Sequence, residues 1–319
     1  MKKTVTILLP AFNEAESFVQ LKACMLRVLA DNPDYDWEFL MVNDGSTDTT
    51  LQQMQQLHEE DPRHFHYIDL SRNYGKEIAV MAGLDYALGD ALIVMDADMQ
   101  HPIDVIPDML RYWEEGYDDV YAQRQGSHES WLKRSTSKVY YRLLQHTTDI
   151  PIQPNTGDFR LIDHSCIMAL RQMRETDRNT KGMFSWIGFR KKGIYYQQQS
   201  RQYGKSKWKF HSLLNLALNG ITSFTTAPLR LASVFGCCIS VLAFLYLIYI
   251  IVKTVFIGES VQGYPTLMVT ILFLGGIQLI SLGIIGEYLS HIFNETKKRP
   301  PYFVRTYNGN RPSPQHSEA

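Results

Sequence analysis

Asp96 and Asp98, one residue apart and followed by Gln100, stand at the end of an apolar run, Ala91-Leu92-Ile93-Val94-Met95. The run follows Leu88-Gly89-Asp90 and reads as a short strand buried on both faces. Alternate residues leave a strand on the same side, so both carboxylates point into the crevice at its carboxyl end, where open α/β sheets bind ligands. Two acids and an amide offer hard oxygen ligands, suited to Mg²⁺ or Mn²⁺ holding a substrate diphosphate. A bare Asp-x-Asp is more often a solvated turn than such a site. The rest of the chain has to carry the weight.

From residue 4 to about 125 the pattern repeats as strand, loop and helix. Strands are expected at Val5-Leu9, Glu38-Val42, His66-Leu70, Leu92-Met95 and Asp119-Ala122, with helical windows near 15–30, 47–58, 77–88 and 103–115. That alternation predicts a doubly wound, mostly parallel sheet. Pro10-Ala11-Phe12-Asn13-Glu14, Asn43-Asp44-Gly45-Ser46-Thr47-Asp48 and Ser71-Arg72-Asn73-Tyr74-Gly75-Lys76 follow the first three strands and should converge with Asp96 and Asp98 on one edge. Asn43 to Asp48 has the composition of a turn and helix cap, and such a cap also presents the Asp44 carboxylate to a base or ribose. Arg72 and Lys76 read either as a solvated charge cluster or as phosphate contacts. Their place at a strand's carboxyl end favours phosphate.

The 319 residues could hold one large or two ordinary domains. Lys+Arg 32 against Asp+Glu 33 gives net charge −1, so no nucleic-acid partner is expected. Cys24, Cys166, Cys237 and Cys238 have no metal-ligand spacing and read as reduced packing residues. The first apolar segment is stopped by Pro10, too short for a signal-peptide core, which keeps the amino-terminal part in the cytosol. Residues 126–163 are less regular; Trp131 to Gln145 has helical spacing with Lys133, Arg134, Lys138 and Arg142, a solvated face or a border of the crevice.

Two later stretches are different in kind. Leu231 to Val252 is 22 residues without a charge, and Thr266 to Gly286 is another 21. At ~1.5 Å per residue each spans about 30 Å, the thickness of a bilayer's hydrocarbon core. Before them, Lys205 to Thr226 carries Trp208, Phe210, Leu213, Leu214, Leu216, Leu218, Ile221 and Phe224 behind three lysines, and reads as an interfacial amphipathic helix. Basic residues crowd before the first span and after the second, which places both ends in the cytosol. The expected organisation is a cytosolic domain 1–204, an interfacial helix 205–228, a two-helix transmembrane hairpin 229–292 and a cytosolic tail 293–319, disordered from Asn308.

The ordered set Pro10…Asn13-Glu14, Asn43-Asp44-Gly45-Ser46, Arg72-Asn73-Tyr74-Gly75-Lys76 and Asp96-Ala97-Asp98-Met99-Gln100-His101-Pro102 resembles the inverting nucleotide-sugar transferases of glycosyltransferase family 2. Asn155-Thr156-Gly157-Asp158-Phe159-Arg160 and Arg201…Gly204-Lys205-Ser206-Lys207-Trp208 narrow the resemblance to the polyprenyl-phosphate branch, over about residues 4–305. The resemblance is to bactoprenol (undecaprenyl-phosphate) glucosyltransferases. It implies an A-type glycosyltransferase fold, Rossmann-like, a UDP-sugar donor, Mg²⁺ or Mn²⁺, a polyprenyl phosphate acceptor and membrane lipid around a multi-pass protein of the cytoplasmic (inner) membrane.

On the same ground, Pro10, Phe12, Glu14, Asp44, Lys76 and Asp96 are expected on the nucleotide-sugar, and Asp96, Asp98 and Gln100 on the metal. Asp158 and Asp98 are the expected catalytic residues. Asp158 is the base the resemblance offers, although an acceptor phosphate is already an anion and needs little base help; an ion pair with Arg160 is the plainer reading of it. Arg160, Arg201 and Lys205 are expected on the acceptor phosphate, with a simple positive-inside anchor as the rival for the last two. The product would serve cell-envelope glycan modification. A second copy of the chain, a flippase and a downstream lumenal or periplasmic glycosyltransferase are the further partners implied. Glucose is the expected sugar, with N-acetylglucosamine or another hexose derivative close behind. A processive polysaccharide synthase is disfavoured, since no Gln-x-x-Arg-Trp follows Asp158 and the spans are too few for a channel. A sugar-nucleotide-binding membrane scaffold without activity would not need Asp158 and the metal ligands together.

Overall fold

The first four apolar runs form the centre of one eight-stranded sheet. The computed structural model describes residues 2–97, 101–124, 156–175, 178, 180–196 and 263–309, with isolated positions between 229 and 256. β1 (Thr4–Ala11), β2 (Asp36–Asn43), β3 (Phe65–Leu70) and β4 (Ala91–Val94) are parallel, in the spatial order β4-β1-β2-β3. Between them run α1 (Phe18–Asp31), α2 (Thr50–Glu60) and α3 (Lys76–Tyr86); after β4 a short 3₁₀ turn, Ile103–Val105, opens α4 (Ile106–Glu114). Every expected window in this half is filled by the expected element.

The strands read as continuous apolar runs because both faces are covered. Val5, Ile7 and Leu9 of β1 pack with Phe18, Leu21 and Met25 of α1, Met54 and Leu57 of α2, and Met109 and Leu110 of α4. Leu8 faces the other way, against Ala79, Val80 and Leu84 of α3. Cys24 and Cys166 are buried as packing residues, whereas Cys238 is exposed.

The flanks of the sheet are where the sequence reading falls short. β5 (Asp119–Arg124), β6 (Thr156–Asp163) and β7 (Lys191–Tyr196) extend it beyond β4 in the order β7-β5-β6-β4, with β6 antiparallel to both neighbours. Thr156–Asp163 lies in the stretch 126–163 whose sequence is less regular. α5 (His164–Gln172) and α6 (Thr180–Trp186) cover this end on the α3 side through Cys166, Ile167, Leu170, Met183 and Phe184. At the opposite edge β8 (Val304–Tyr307) pairs antiparallel with β3. The segment expected as a tail from 293 therefore returns to the sheet, and Tyr302 is 2% exposed, its hydroxyl donating to Asp85 Oδ2 at 2.6 Å. The sheet is mixed: six strands share one direction, and β6 and β8 oppose them.

A second body contains α7 (Tyr264–Thr296) and the helical positions between 229 and 256. Among the described residues one helical stretch, Phe273–Thr296, is long and apolar enough to cross a membrane; its mean hydropathy is 1.4 and none of it is buried. The expected span Thr266 to Gly286 lies within α7. Most of Leu231 to Val252, the interfacial helix 205–228 and the helix expected over Trp131 to Gln145 lie outside the described residues.

Candidate active site

Three strand-end loops are bonded to one another at the carboxyl edge of the sheet. Asn13 N–H donates to Ser46 Oγ at 3.0 Å, Thr47 N–H to Asn13 Oδ1 at 2.8 Å, Glu14 N–H to Thr50 Oγ1 at 3.0 Å and Ala15 N–H to Asp48 Oδ2 at 3.2 Å, joining the β1–α1 and β2–α2 loops. Asn43 Nδ2 donates to Asp69 Oδ1 at 2.7 Å, and Asp44 accepts from Tyr74 N–H at 2.7 Å and Gly75 N–H at 2.9 Å, joining β2 to the β3–α3 loop. Gly45 lies at φ +65°, and a Cβ there would stand 2.5 Å from both Arg72 C and Asn73 N. Only glycine allows the β2–α2 loop this close to its neighbour.

Of the residues expected on the donor, Pro10 is buried at the end of β1, while Phe12 and Glu14 are half-buried in the following loop, where Ser17 Oγ donates to Glu14 Oε2 at 3.1 Å. Asp44 is 3% exposed, and its first task is to hold the β3–α3 loop. Burial pushes its carboxyl above the usual range against the pull of those two N–H groups. Among the described residues each oxygen accepts one backbone bond, which leaves acceptor capacity on both.

The centre of the edge is an ion trio assembled from distant residues. Lys76, the first residue of α3, places Nζ 2.6 Å from Asp96 Oδ1 and 2.5 Å from Asp158 Oδ2. Burial alone would lower the lysine pKa, but the two carboxylates outweigh it and hold the ammonium above its usual range. Burial would likewise raise both acids; His101 and Lys76 hold Asp96 well below the carboxylate range, and Lys76 and Lys181 hold Asp158 below it. All three groups are therefore charged at neutral pH. Asp158 Oδ1 is buried with no hydrogen-bond partner among the described residues. A buried carboxylate oxygen left bare beside an excess of acid is an acceptor waiting for a donor or a cation.

Two neighbours escaped the sequence reading as site residues. His101, 5% exposed, has Nε2 3.5 Å from Asp96 Oδ2 and stacks on Phe159 with ring centroids 4.8 Å apart. Its position five residues beyond Asp96 was the available signal. Glu77 accepts from Thr180 N–H at 2.9 Å and from the Thr180 hydroxyl, and burial followed by the Asp158 charge pushes its carboxyl up. Nothing local in the sequence points to that contact across 103 residues.

Arg160 is corrected by the structure. It had been expected on the acceptor phosphate, but it is 1% exposed, its Nη1 bonds Asp119 Oδ2 at 3.0 Å and its guanidinium lies 3.9 Å from the centre of the Phe184 ring. Among the described residues a guanidinium enclosed this way is a core ion pair. The plainer expectation, Asp158 paired with Arg160, is corrected as well: Lys76 takes Asp158, and Asp119 takes Arg160. Asp98, Gln100, Arg201 and Lys205 lie outside the described residues. Among the described residues no three His, Cys, Asp or Glu side chains form a metal-holding group.

Comparison with known proteins gives the family. Residues 6–171 match glycosyl transferase family 2, and residues 227–292 match the GtrB C-terminal hairpin. An uncharacterized glycosyltransferase of Synechocystis is 44% identical over 94% of this chain and 94% of its own. The prophage bactoprenol glucosyl transferase homolog of Escherichia coli is 39% identical over 94% of this chain and 98% of its own, and the bactoprenol glucosyl transferase of Shigella phage SfX 38% identical over 95% and 99%. A solved mannosyltransferase of Pyrobaculum calidifontis, in complex with GDP-Man and Mn²⁺, aligns with 64% of this chain and 59% of its own at 16% identity, with a TM-score of 0.45. With its matched motifs on the carboxyl edge of a mixed α/β sheet, the chain belongs to glycosyl transferase family 2 and is a glycosyltransferase.

Proposed function

We propose that the protein transfers glucose from UDP-glucose to a polyprenyl phosphate at the cytoplasmic face of the membrane, with inversion at the anomeric carbon. The observation that carries this reading is the Lys76 ammonium held between Asp96 and Asp158. The ammonium stands at the end of β4, where a diphosphate would dock with a cation offsetting the two carboxylates, beside loops suited to a base and ribose through Asp44. The relatives named as bactoprenol glucosyl transferases favour the lipid phosphate and the glucose.

The acceptor phosphate oxygen attacks the anomeric carbon as the bond from that carbon to the donor diphosphate breaks, and UDP carries away the electron pair. Asp158 suits an anionic acceptor. A carboxylate held below its usual pKa and bonded to an ammonium is a poor base, so it positions Lys76 and the sugar rather than taking a proton. The bare Asp158 Oδ1 and the surplus of acid fit a divalent cation, for which Asp96, Asp98 and Gln100 are the proposed ligands. Mg²⁺ or Mn²⁺ there would stabilise the charge of the departing diphosphate. Arg201 and Lys205 remain the proposed grip on the lipid phosphate.

The membrane arrangement has its own support. β7 precedes the apolar segment and β8 follows it, and both belong to one sheet. A chain that leaves and rejoins a single folded sheet crosses a bilayer an even number of times, which favours two crossings with both flanks on the basic, cytosolic side.

The test is to incubate the purified full chain with polyprenyl phosphate and a panel of UDP-sugars, and to identify lipid products by mass spectrometry. A polyprenyl-phosphate hexose made from UDP-glucose, lost in excess chelator and restored by Mg²⁺ or Mn²⁺, is the expected result. A product from UDP-N-acetylglucosamine alone would replace the sugar, full turnover in chelator would remove the metal, and no lipid product from any donor would overturn the reading.

A further inference from the structure

The strand that follows the apolar helix is fastened to the loop that leads to Lys76. β8 pairs Ile68 with Tyr307, Asp69 with Thr306 and Leu70 with Val304, so Arg305 is one extra residue between two ladder positions. Bulges of this kind re-aim a side chain. Here the guanidinium turns toward the end of β3, where Nη2 donates to Ser71 O at 3.0 Å and Nη1 lies 3.5 Å from Asp69 Oδ2. Ser71 N–H donates in turn to Phe303 O at 2.9 Å.

Both contacts lead to the site. Asp69 Oδ1 holds Asn43, whose Oδ1 accepts from Ser46 N–H at 3.1 Å, and Ser46 Oγ accepts from Asn13 N–H. Ser71 opens the segment that ends at Lys76, with its hydroxyl 2.8 Å from the Tyr74 hydroxyl. The segment is held at its far end by Asp44 and at its near end by β8. The tie at the near end comes from a strand separated from β3 by more than two hundred residues of chain.

We infer that Arg305 is a positioning residue for the donor: it sets the β3–α3 loop, so that nucleotide binding depends on the strand that follows the membrane hairpin. The inference rests on the reading above, in which Lys76, the residue this loop leads to, receives the diphosphate. Arg305 itself touches no reacting group. Its side chain is 63% exposed, so its removal opens no cavity, and the expected effect is that of one partly solvated contact.

The experiment uses the full chain in detergent and four variants, reading UDP affinity, donor and acceptor KM, kcat and Tm. Arg305→Ala should weaken UDP binding and raise donor KM about three- to tenfold, leaving kcat and acceptor KM near wild type, the pattern of lost uniform binding. Arg305→Lys should recover part of this, because an ammonium does not reproduce the two-pronged contact. Tyr302→Phe, which removes another contact made by the same return segment, should lower Tm with donor KM unchanged. Lys76→Ala tests the underlying reading: unchanged UDP affinity in that variant would overturn the donor role of the loop and this inference with it. Weakened affinity in Lys76→Ala beside wild-type affinity in Arg305→Ala overturns the inference alone. Equal donor losses in Arg305→Ala and Tyr302→Phe would also overturn it, since the effect would then be general loosening of the strand.

Discussion

The sheet edge around Lys76 and the helix α7 are specified in opposite ways. At the edge most polar groups have named partners, many of them thirty or more residues away: Asn13 with Ser46, Asp44 with Tyr74, Lys76 with Asp158. Among the described side chains of α7, Leu279 is 71%, Ile280 66% and Leu282 64% exposed. A helix whose described side chains expose this much apolar surface suits an apolar solvent. The edge depends on which residue stands where, whereas α7 depends on what kind of residue it contains. Substitutions should therefore act by identity at the edge and by polarity in the helix.

The largest effect should come from Lys76→Ala. It removes the charge between two carboxylates and the proposed diphosphate contact together, and losing a preorganised electrostatic group typically costs about 3–4 kcal/mol, or two to three decades in kcat/KM. Steady-state assays with circular dichroism to confirm folding would check it, and a loss below tenfold would break the picture of an edge governed by residue identity. Next comes Ile280→Lys at the middle of α7. A lipid-facing position should resist the charge by ~2.5–3.5 kcal/mol in an insertion assay, while Ile280→Leu should be silent. Free insertion of the lysine variant would show that α7 is not set by polarity at that point.

Gly45→Ala sharpens the edge side of the comparison without touching a charge. The positive φ and the clash with Arg72 and Asn73 predict a loss of about 1–3 kcal/mol in denaturant unfolding, with a raised donor KM. An unchanged midpoint would mean that the two loops can separate freely. The smallest expected change is with pH. Asp96 and Asp158 have folded pKa values below their unfolded ones, so their contribution to stability is complete above the unfolded range of ~4 and is lost as pH falls through the folded values. Lys76 has a folded value above its unfolded one, so its contribution is complete below ~10.4 and is lost as pH rises through the folded value. Between about pH 5 and pH 9 the trio should add no slope to stability, and Asp158 should add no limb to kcat. A limb near neutrality that vanishes in Asp158→Asn would make Asp158 a base. One that persists would belong to the acceptor phosphate, whose second ionisation lies near ~6.

Much of the fold was legible where local pattern is strong. β1 to β5 and α1 to α4 fall on their expected windows because both faces of each strand are covered and the helices between are amphipathic. β6 was hidden by Gly157, Asp158 and Arg160, polar or small residues in a strand whose charges find their partners only in the folded chain. β8 was hidden by length, since Val304–Tyr307 is too short for a period to show.

By itself the sequence determined the parallel half of the sheet, the chemistry of its loop ends and a helix long and apolar enough for a membrane. These are local properties, set by periodicity, turn chemistry and composition within a window of twenty residues or so. Only the tertiary structure decided that Lys76 bridges Asp96 and Asp158, that Arg160 belongs to Asp119, and that the chain returns after α7 to hold the loop of Lys76 through Arg305. Each of these charges has many possible partners along the chain, and which of them stand together is a property of the packed sheet.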